Sequence, residues 1–168
     1  MHVTLYMAQT VNGYIARENG ETPWSDEEWL SFFKFVKDAK NIIIGKNTYK
    51  IMKADDEFSK IGDPFIVVVS KENLVHGSNL AVAKSPKEAL RILIKKNFAK
   101  ALVAGGGVLN SSFMKENLID EIILDIEPLL FGKGIRLFSD ASFETRLSLI
   151  GVRKLSEDAL QLRYRVLK

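Results

Sequence analysis

The residues best placed to do chemistry stand where apolar runs end. Gly105-Gly106-Gly107 follows Ala101-Leu102-Val103-Ala104, Gly45-Lys46-Asn47-Thr48 follows Asn41-Ile42-Ile43-Ile44, and Ser70-Lys71 follows Phe65-Ile66-Val67-Val68-Val69. A glycine turn between a buried strand and a helix lets backbone N–H groups approach a pyrophosphate while the helix N-terminus favours its negative charge. Lysines and hydroxyls at neighbouring strand ends add a cation and further hydrogen bonds. The triplet alone reads equally as a tight strand-to-helix turn, and Lys46 or Lys71 alone as a solvated surface lysine. Agreement among the three strand ends favours a phosphate-bearing ligand, because open α/β sheets bind ligands beyond the carboxyl ends of their strands.

Asp125 is the second chemical oddity, since it interrupts Ile122-Ile123-Leu124 and Ile126 in an otherwise apolar run. A carboxylate in a central strand must be paired or face a cavity. It is either a substrate-facing acid or an aspartate bonded to backbone or a nearby lysine. Asp26, Glu27 and Glu28 form a second acidic group. They read as a charged helix N-terminus, with Ser25 and Glu28 making a capping box.

Composition removes several alternatives. Cysteine is absent, which excludes disulfides, thiolate metal sites and cysteine nucleophiles. His2 and His76 are the only imidazoles, so histidine metal sites and Ser-His-Asp triads are not expected. The net charge of +3 is interspersed with acids and gives no reason to expect nucleic acid. The N-terminus lacks a basic segment followed by an apolar one, and no apolar run has the length of a membrane span, so a cytoplasmic protein acting on a small molecule is expected.

The elements that must position these residues follow from periodicity. At 168 residues the chain suits one domain with one core. Val3 to Ala8 reads as a strand that breaks at Asn12-Gly13 and resumes at Tyr14-Ile15-Ala16. Trp29, Phe32, Phe33 and Val36 recur at helical spacing between Ser25 and Lys40. Asn41–Gly45, Phe65–Val69 and Ala101–Ala104 read as buried strands, and Ser85-Pro86 opens a helix through Leu90, Leu93 and Ile94. A short helix through Phe113-Met114 and a strand from Glu121 to Ile126 follow. Phe143–Leu147 with its continuation and Leu160–Leu167 are expected to pair antiparallel. The pattern implies an α/β fold with a central, mostly parallel sheet, helices on both faces and an antiparallel C-terminal hairpin.

In order and spacing, Gly20…Pro23-Trp24, Ile44-Gly45-Lys46-Asn47-Thr48-Tyr49, Val69-Ser70, Lys84-Ser85 and Ala104-Gly105-Gly106-Gly107 resemble dihydrofolate reductase. The last third is similar to a relative within that superfamily. Leu118-Ile119-Asp120-Glu121 and Glu127-Pro128-Leu129-Leu130-Phe131-Gly132-Lys133-Gly134-Ile135-Arg136-Leu137-Phe138 resemble the C-terminal reductase domain of the riboflavin biosynthesis deaminase-reductase and its stand-alone homologues. Thr10 to Ala16 is similar to the same group's first-strand motif, with Asn12 where aspartate is usual.

The resemblance implies a dihydrofolate-reductase-like fold and an NADPH-dependent reductase acting on a small heterocyclic or ribosylamino-pyrimidine substrate, with a homodimer expected for the riboflavin type. It implies that Gly105, Gly106, Gly107, Val108 and Leu109 hold the pyrophosphate. Gly45, Lys46 and Thr48 would flank the adenosine, Ser70, Lys71 and Lys84 the 2′-phosphate, and Ala8 and Ala16 the nicotinamide carboxamide. Asn12, Trp29, Phe33 and Asp125 would contact substrate. The acid that dihydrofolate reductases carry on the first helix aligns with Trp29, and their folate-clamping arginine with Pro64. Asp125 is therefore the candidate catalytic carboxylate, supplied from the strand in place of the helix. Dihydrofolate reductase proper and a non-catalytic NADP-binding module are the alternative functions.

Overall fold

In the computed structural model, which describes residues 1–72 and 77–168, an eight-stranded sheet runs in the order β5-β4-β3-β6-β1-β7-β10-β9. The strands are β1 (His2–Thr10), β3 (Asn41–Gly45), β4 (Phe65–Val69), β5 (Leu80–Ala83), β6 (Lys100–Val103), β7 (Glu121–Glu127), β9 (Leu147–Lys154) and β10 (Leu160–Val166). A small second sheet pairs β2 (Tyr14–Ala16) with β8 (Ile135–Arg136). The helices are α1 (Asp26–Ala39), α2 (Lys46–Ala54), α3 (Glu57–Lys60), α4 (Pro86–Lys95) and α5 (Gly107–Lys115). His76 lies outside the described residues.

From β5 to β7 all neighbours are parallel, whereas β10 is antiparallel to both β7 and β9. Parallel strands need crossover helices, and right-handed crossovers decide which face each helix covers. Going from β1 to β3 and on to β4, the chain moves one way along the sheet and lays α1 and α2 on one face. From β5 to β6 and on to β7 it moves back, and α4 and α5 cover the other. The core divides accordingly. Ile42, Ile44, Ile66 and Val68 pack under Phe32, Val36 and Met52, while Ile43 and Val67 pack under Ala89, Leu93, Leu109 and Phe113. This is the alternation that a strand buried on both faces must show.

The dihydrofolate-reductase-like α/β architecture is as expected, with five local differences. Lys46–Ala54 and Glu57–Lys60 are helical, and Leu80–Ala83 is an edge strand, none of which the apolar pattern had indicated. The helix expected around Phe113 begins at Gly107, immediately after the glycine turn. Phe143 to Arg146 precede β9 as a loop, because Phe143 turns in against Phe138, with ring centroids 5.2 Å apart, instead of joining the ladder.

Candidate functional site

The parallel strands open at their carboxyl ends onto a cleft of about 580 Å³. Two helices begin there. Gly45 caps α2 and Gly106 caps α5, neither helix has a side-chain cap, and neither has an acid in its first turn. Their first N–H groups are thus left to whatever occupies the cleft, and both dipoles favour an anion. Gly45 N donates to Gly105 O at 2.8 Å and ties the two turns together. Gly105 has φ +87°, in the left-handed region that suits glycine. A Cβ on Gly106 would meet only Thr48 Oγ1, at 3.5 Å, whereas one on Gly107 would lie 2.4 Å from Arg136 O. Gly106 therefore borders open cleft, while Gly107 is pinned against β8.

The cleft is lined by Ala8, Ala16, Trp29, Gly45, Lys46, Thr48, Ser70, Lys71 and Gly105 to Leu109, all expected there. Lys46 pairs with Glu72, and Glu72 N donates to Ser70 Oγ at 3.0 Å. Four expected residues stand elsewhere. Lys84 lies behind the Ser70–Glu72 turn, its Nζ donating to Lys71 O and Glu72 O at 3.1 and 3.2 Å. Asn12 is bound into its own loop, with Oδ1 accepting from Thr10 Oγ1 at 2.8 Å and Nδ2 donating to Phe131 O at 2.8 Å. Phe33 packs against Trp29, outside the lining.

Asp125 is not in the cleft wall either. It is fully buried under α1, in register with Ala8 and Gln161, where it accepts from the Tyr6 hydroxyl and from Gln161 Nε2 at 2.7 Å. Burial pushes its pKa up, and the bonds from Tyr6 and Gln161 pull it partly back. Its strand position satisfied the condition of a paired carboxylate, with a phenol and an amide as the partners.

The buried acid in the cleft wall is Glu28. It is only 3% exposed, and its pKa is raised to about 8 by burial first and then by the charge of Asp125. The capping box expected to engage it is built differently. Ser25 Oγ accepts from Glu28 N at 3.3 Å, but Ser25 N and Oγ donate to Glu127 at 3.2 and 2.8 Å. Glu127 thus takes the place of the box's own glutamate, and the Glu28 side chain turns inward. Asp26 and Glu27 are exposed, as a charged helix start requires. Glu28 Oε1 lies 3.3 Å from the Tyr6 hydroxyl, and Oε2 has no hydrogen-bond partner among the described residues. Tyr6 has one hydrogen and gives it to Asp125. The Glu28 contact is satisfied when Glu28 is neutral and donates to the phenol oxygen, the protonation state that its raised pKa favours near neutrality.

The periodicity of α1 contained this information. Glu28, Phe32 and Val36 fall at i, i+4 and i+8 on one stripe, and all three are buried. Trp24, Tyr6, Glu57 and Arg136 also line the cleft, and only the fold assembles them.

A model described as RibD C-terminal domain matches residues 1–161. The chain belongs to that family. Over 166 residues it is 29% identical to the uncharacterized protein YwjB of Bacillus subtilis, covering 95% of each chain. A structure titled as a putative riboflavin biosynthesis protein from a Shewanella species superposes with TM-score 0.81 at 23% identity, covering all of both chains. A Thermotoga maritima structure, titled as a diaminohydroxyphosphoribosylaminopyrimidine deaminase/5-amino-6-(5-phosphoribosylamino)uracil reductase, superposes with TM-score 0.76 at 18% identity. That match covers 99% of this chain and 56% of the other, so this RibD C-terminal domain spans little more than half the length of the two-activity protein.

Proposed function

We propose that this RibD-type domain is an NADPH-dependent reductase that transfers hydride to a C=N or C=O bond of a small heterocyclic substrate. The observation that carries the reading is the convergence of two helix N-termini without side-chain caps, α2 and α5, on one cleft beside a buried carboxyl oxygen that has no hydrogen-bond partner among the described residues. The residues fit a dinucleotide. Gly106 leaves room for a pyrophosphate, the first turns of α2 and α5 supply N–H donors, and Thr48, Ser70, Lys46 and Lys71 supply hydroxyls and cations for the adenosine end. Bound there, NADPH supplies the hydride. Glu28 supplies the matching proton, burial and then the charge of Asp125 hold Glu28 in its neutral form, and Trp24 and Trp29 wall off water and set the plane of a flat acceptor.

The same helix supports a second reading, reduction of a pterin, because Glu28 stands one residue from the position where the resemblance to dihydrofolate reductase puts its acid. Stopped-flow NADPH oxidation against a panel of pyrimidines and pterins tests both. NADPH binding without oxidation of any acceptor would favour the non-catalytic module. We also propose a homodimer on the β9 edge, where Leu149, Ile150 and Val152 are exposed on a strand that pairs with β10 on one side only. Light scattering should give twice the 18.9 kDa chain mass, and Val152→Lys should return the monomer.

A further inference from the structure

Resting on the reductase reading, we infer that the substrate is an unphosphorylated, flat nitrogen base that binds as a cation, and not a phosphoribosylated one. The argument starts from how charge is distributed along the cleft. Among the described residues, its lining cations are Lys46 and Lys71, beside the glycine turns, and Arg136, on β8, whose guanidinium lies over the Tyr14 ring 5.2 Å from its centroid. The wall formed by Tyr6, Trp24, Glu28, Trp29, Phe32 and Glu57 has no cation. It has two carboxyls instead.

After burial, the charges of Asp125, then Glu127 and last Glu57 raise the Glu28 pKa, and Glu57 lines the same wall of the cleft. Burial, and then the charge of Asp55, raise Glu57 itself. Lys60 partly offsets this, but its Nζ donates to Asp55 O at 3.0 Å and does not line the cleft. A phosphate monoester carries a charge of roughly −1.5 to −2 near neutral pH and needs several N–H donors or cations. Here it would lie against Glu57 and a Glu28 that must stay protonated beside it, in a half-buried aromatic wall where none of the named residues supplies a cation to balance it.

The same wall suits a protonated base. Indole faces attract a cation, and Trp24 and Trp29 both line the cleft. Glu28 Oε2, otherwise partnerless, would accept an N–H from the ligand, and a cation beside it would favour the ionised carboxylate that burial alone disfavours. A weakly basic imine or amino-heterocycle would therefore take up a proton on binding, from Glu28 or from water, and lie as a cation between carboxylate and indole.

The tryptophans make the inference testable without turnover, because Trp24 and Trp29 are the only two in the chain. Quenching of their fluorescence would be titrated with 5-amino-6-ribosylaminouracil and with its 5′-phosphate, and separately with 2,4-diaminopyrimidine and with uracil. The unphosphorylated nucleoside should bind about tenfold or more tightly than its phosphate, and Glu57→Gln should narrow that gap. Diaminopyrimidine should bind more tightly than uracil and lose that advantage in Glu28→Gln. Equal or tighter binding of the phosphate, quenching by neither nucleoside form, or a diaminopyrimidine preference that survives Glu28→Gln would overturn the inference. A failure of the reductase reading shows separately, as absent NADPH binding or oxidation, and leaves these ligand ratios measurable.

Discussion

Glu28 on α1 and Asp125 on β7 meet across a single phenol, that of Tyr6, and the three groups share fewer protons than they have hydrogen-bonding oxygens. Burial raises the Asp125 pKa and the bonds it accepts offset only part of that, while the Tyr6 hydrogen points to it and leaves Glu28 as the proton carrier facing the cleft. The two carboxyls have different tasks because their surroundings differ: one has two donors, the other has an oxygen with none.

If Glu28 acts as the proton donor, activity requires its neutral form. With its pKa about 8, kcat/KM should be level near neutrality and fall roughly tenfold per pH unit on the alkaline side. Glu28→Gln should lower kcat strongly and abolish that limb while leaving NADPH affinity unchanged. An undiminished kcat, or an alkaline limb that persists in the glutamine variant, would remove Glu28 from the chemistry.

Stability should follow the same group. The folded-state pKa of Glu28 lies above its value in the unfolded chain, so between about pH 4.5 and 8 the native state binds the extra proton and stability declines as pH rises. Above that window the cost of the buried charge is fully present. Glu28→Gln removes it, and should therefore unfold at a higher temperature than wild type at pH 9, with a gain of several kcal/mol at about 1.4 kcal/mol per pH unit of that window, but not at pH 5. Calorimetry at the two pH values decides this. A gain of equal size at both would point to packing.

Asp125 is a positioning residue by this geometry, so Asp125→Asn should not behave like loss of the acid. Its charge is the second cause holding the Glu28 pKa up. Removing it should move the alkaline limb of kcat/KM down by about one pH unit and leave substantial activity below the limb. A variant inactive at every pH would instead give Asp125 a direct role.

The legible and illegible parts of the sequence divide along physical lines. The strands at Asn41–Gly45 and Phe65–Val69 were readable because burial on both faces leaves a continuous β-branched run. The turn at Gly105-Gly106-Gly107 was readable because its conformation and close approaches need glycine. Helix α2 was missed because it starts inside the expected phosphate loop, and its apolar face needs only Met52 fully buried. Asp125 stands out as a charge in an apolar strand, but a sequence cannot show that Gln161 stands opposite it in register or that the Tyr6 hydroxyl reaches it. Glu28 was hidden by a pattern that fits two structures. A serine three residues before a glutamate reads as a capping box, and only Glu127, about a hundred positions away, frees that glutamate to turn inward.

The adenosine end carries a prediction in which two charges compete. Lys46 should favour NADPH over NADH, but it already pairs with Glu72, beside Ser70 and Lys71. Lys46→Ala should then weaken NADPH binding by about 1 kcal/mol, at the low end for a charge-assisted bond, and barely affect NADH. Glu72→Gln should release Lys46 and remove a like charge, tightening NADPH binding by about threefold. Titrations of both cofactors into the three proteins measure this. Equal affinities for NADPH and NADH in wild type would mean that the lysines do not read a 2′-phosphate.

The glycine turn allows a contrast between neighbouring positions. Gly106 has an extended backbone that any residue adopts, and a Cβ there meets only Thr48 Oγ1 at ordinary contact distance. Gly106→Val should therefore fold normally, with the thermal midpoint within a few degrees of wild type, while its isopropyl group fills the space in front of the α5 N-terminus and abolishes NADPH binding. Gly107→Ala is the smaller change chemically and should be the worse one structurally. Its methyl would lie 2.4 Å from the carbonyl oxygen of Arg136, and backbone on both sides of the clash must move, pushing β8 away from the start of α5. That variant should lose about 2 kcal/mol or more of stability, as overpacking against rigid backbone does. Circular dichroism melts and NADPH titrations on the two proteins separate binding from folding. If the valine variant binds NADPH as wild type does, the triplet is a turn and the cofactor lies elsewhere. If the alanine variant is as stable as wild type, β8 is free to shift, and the close contact at Gly107 does not fix the cleft wall.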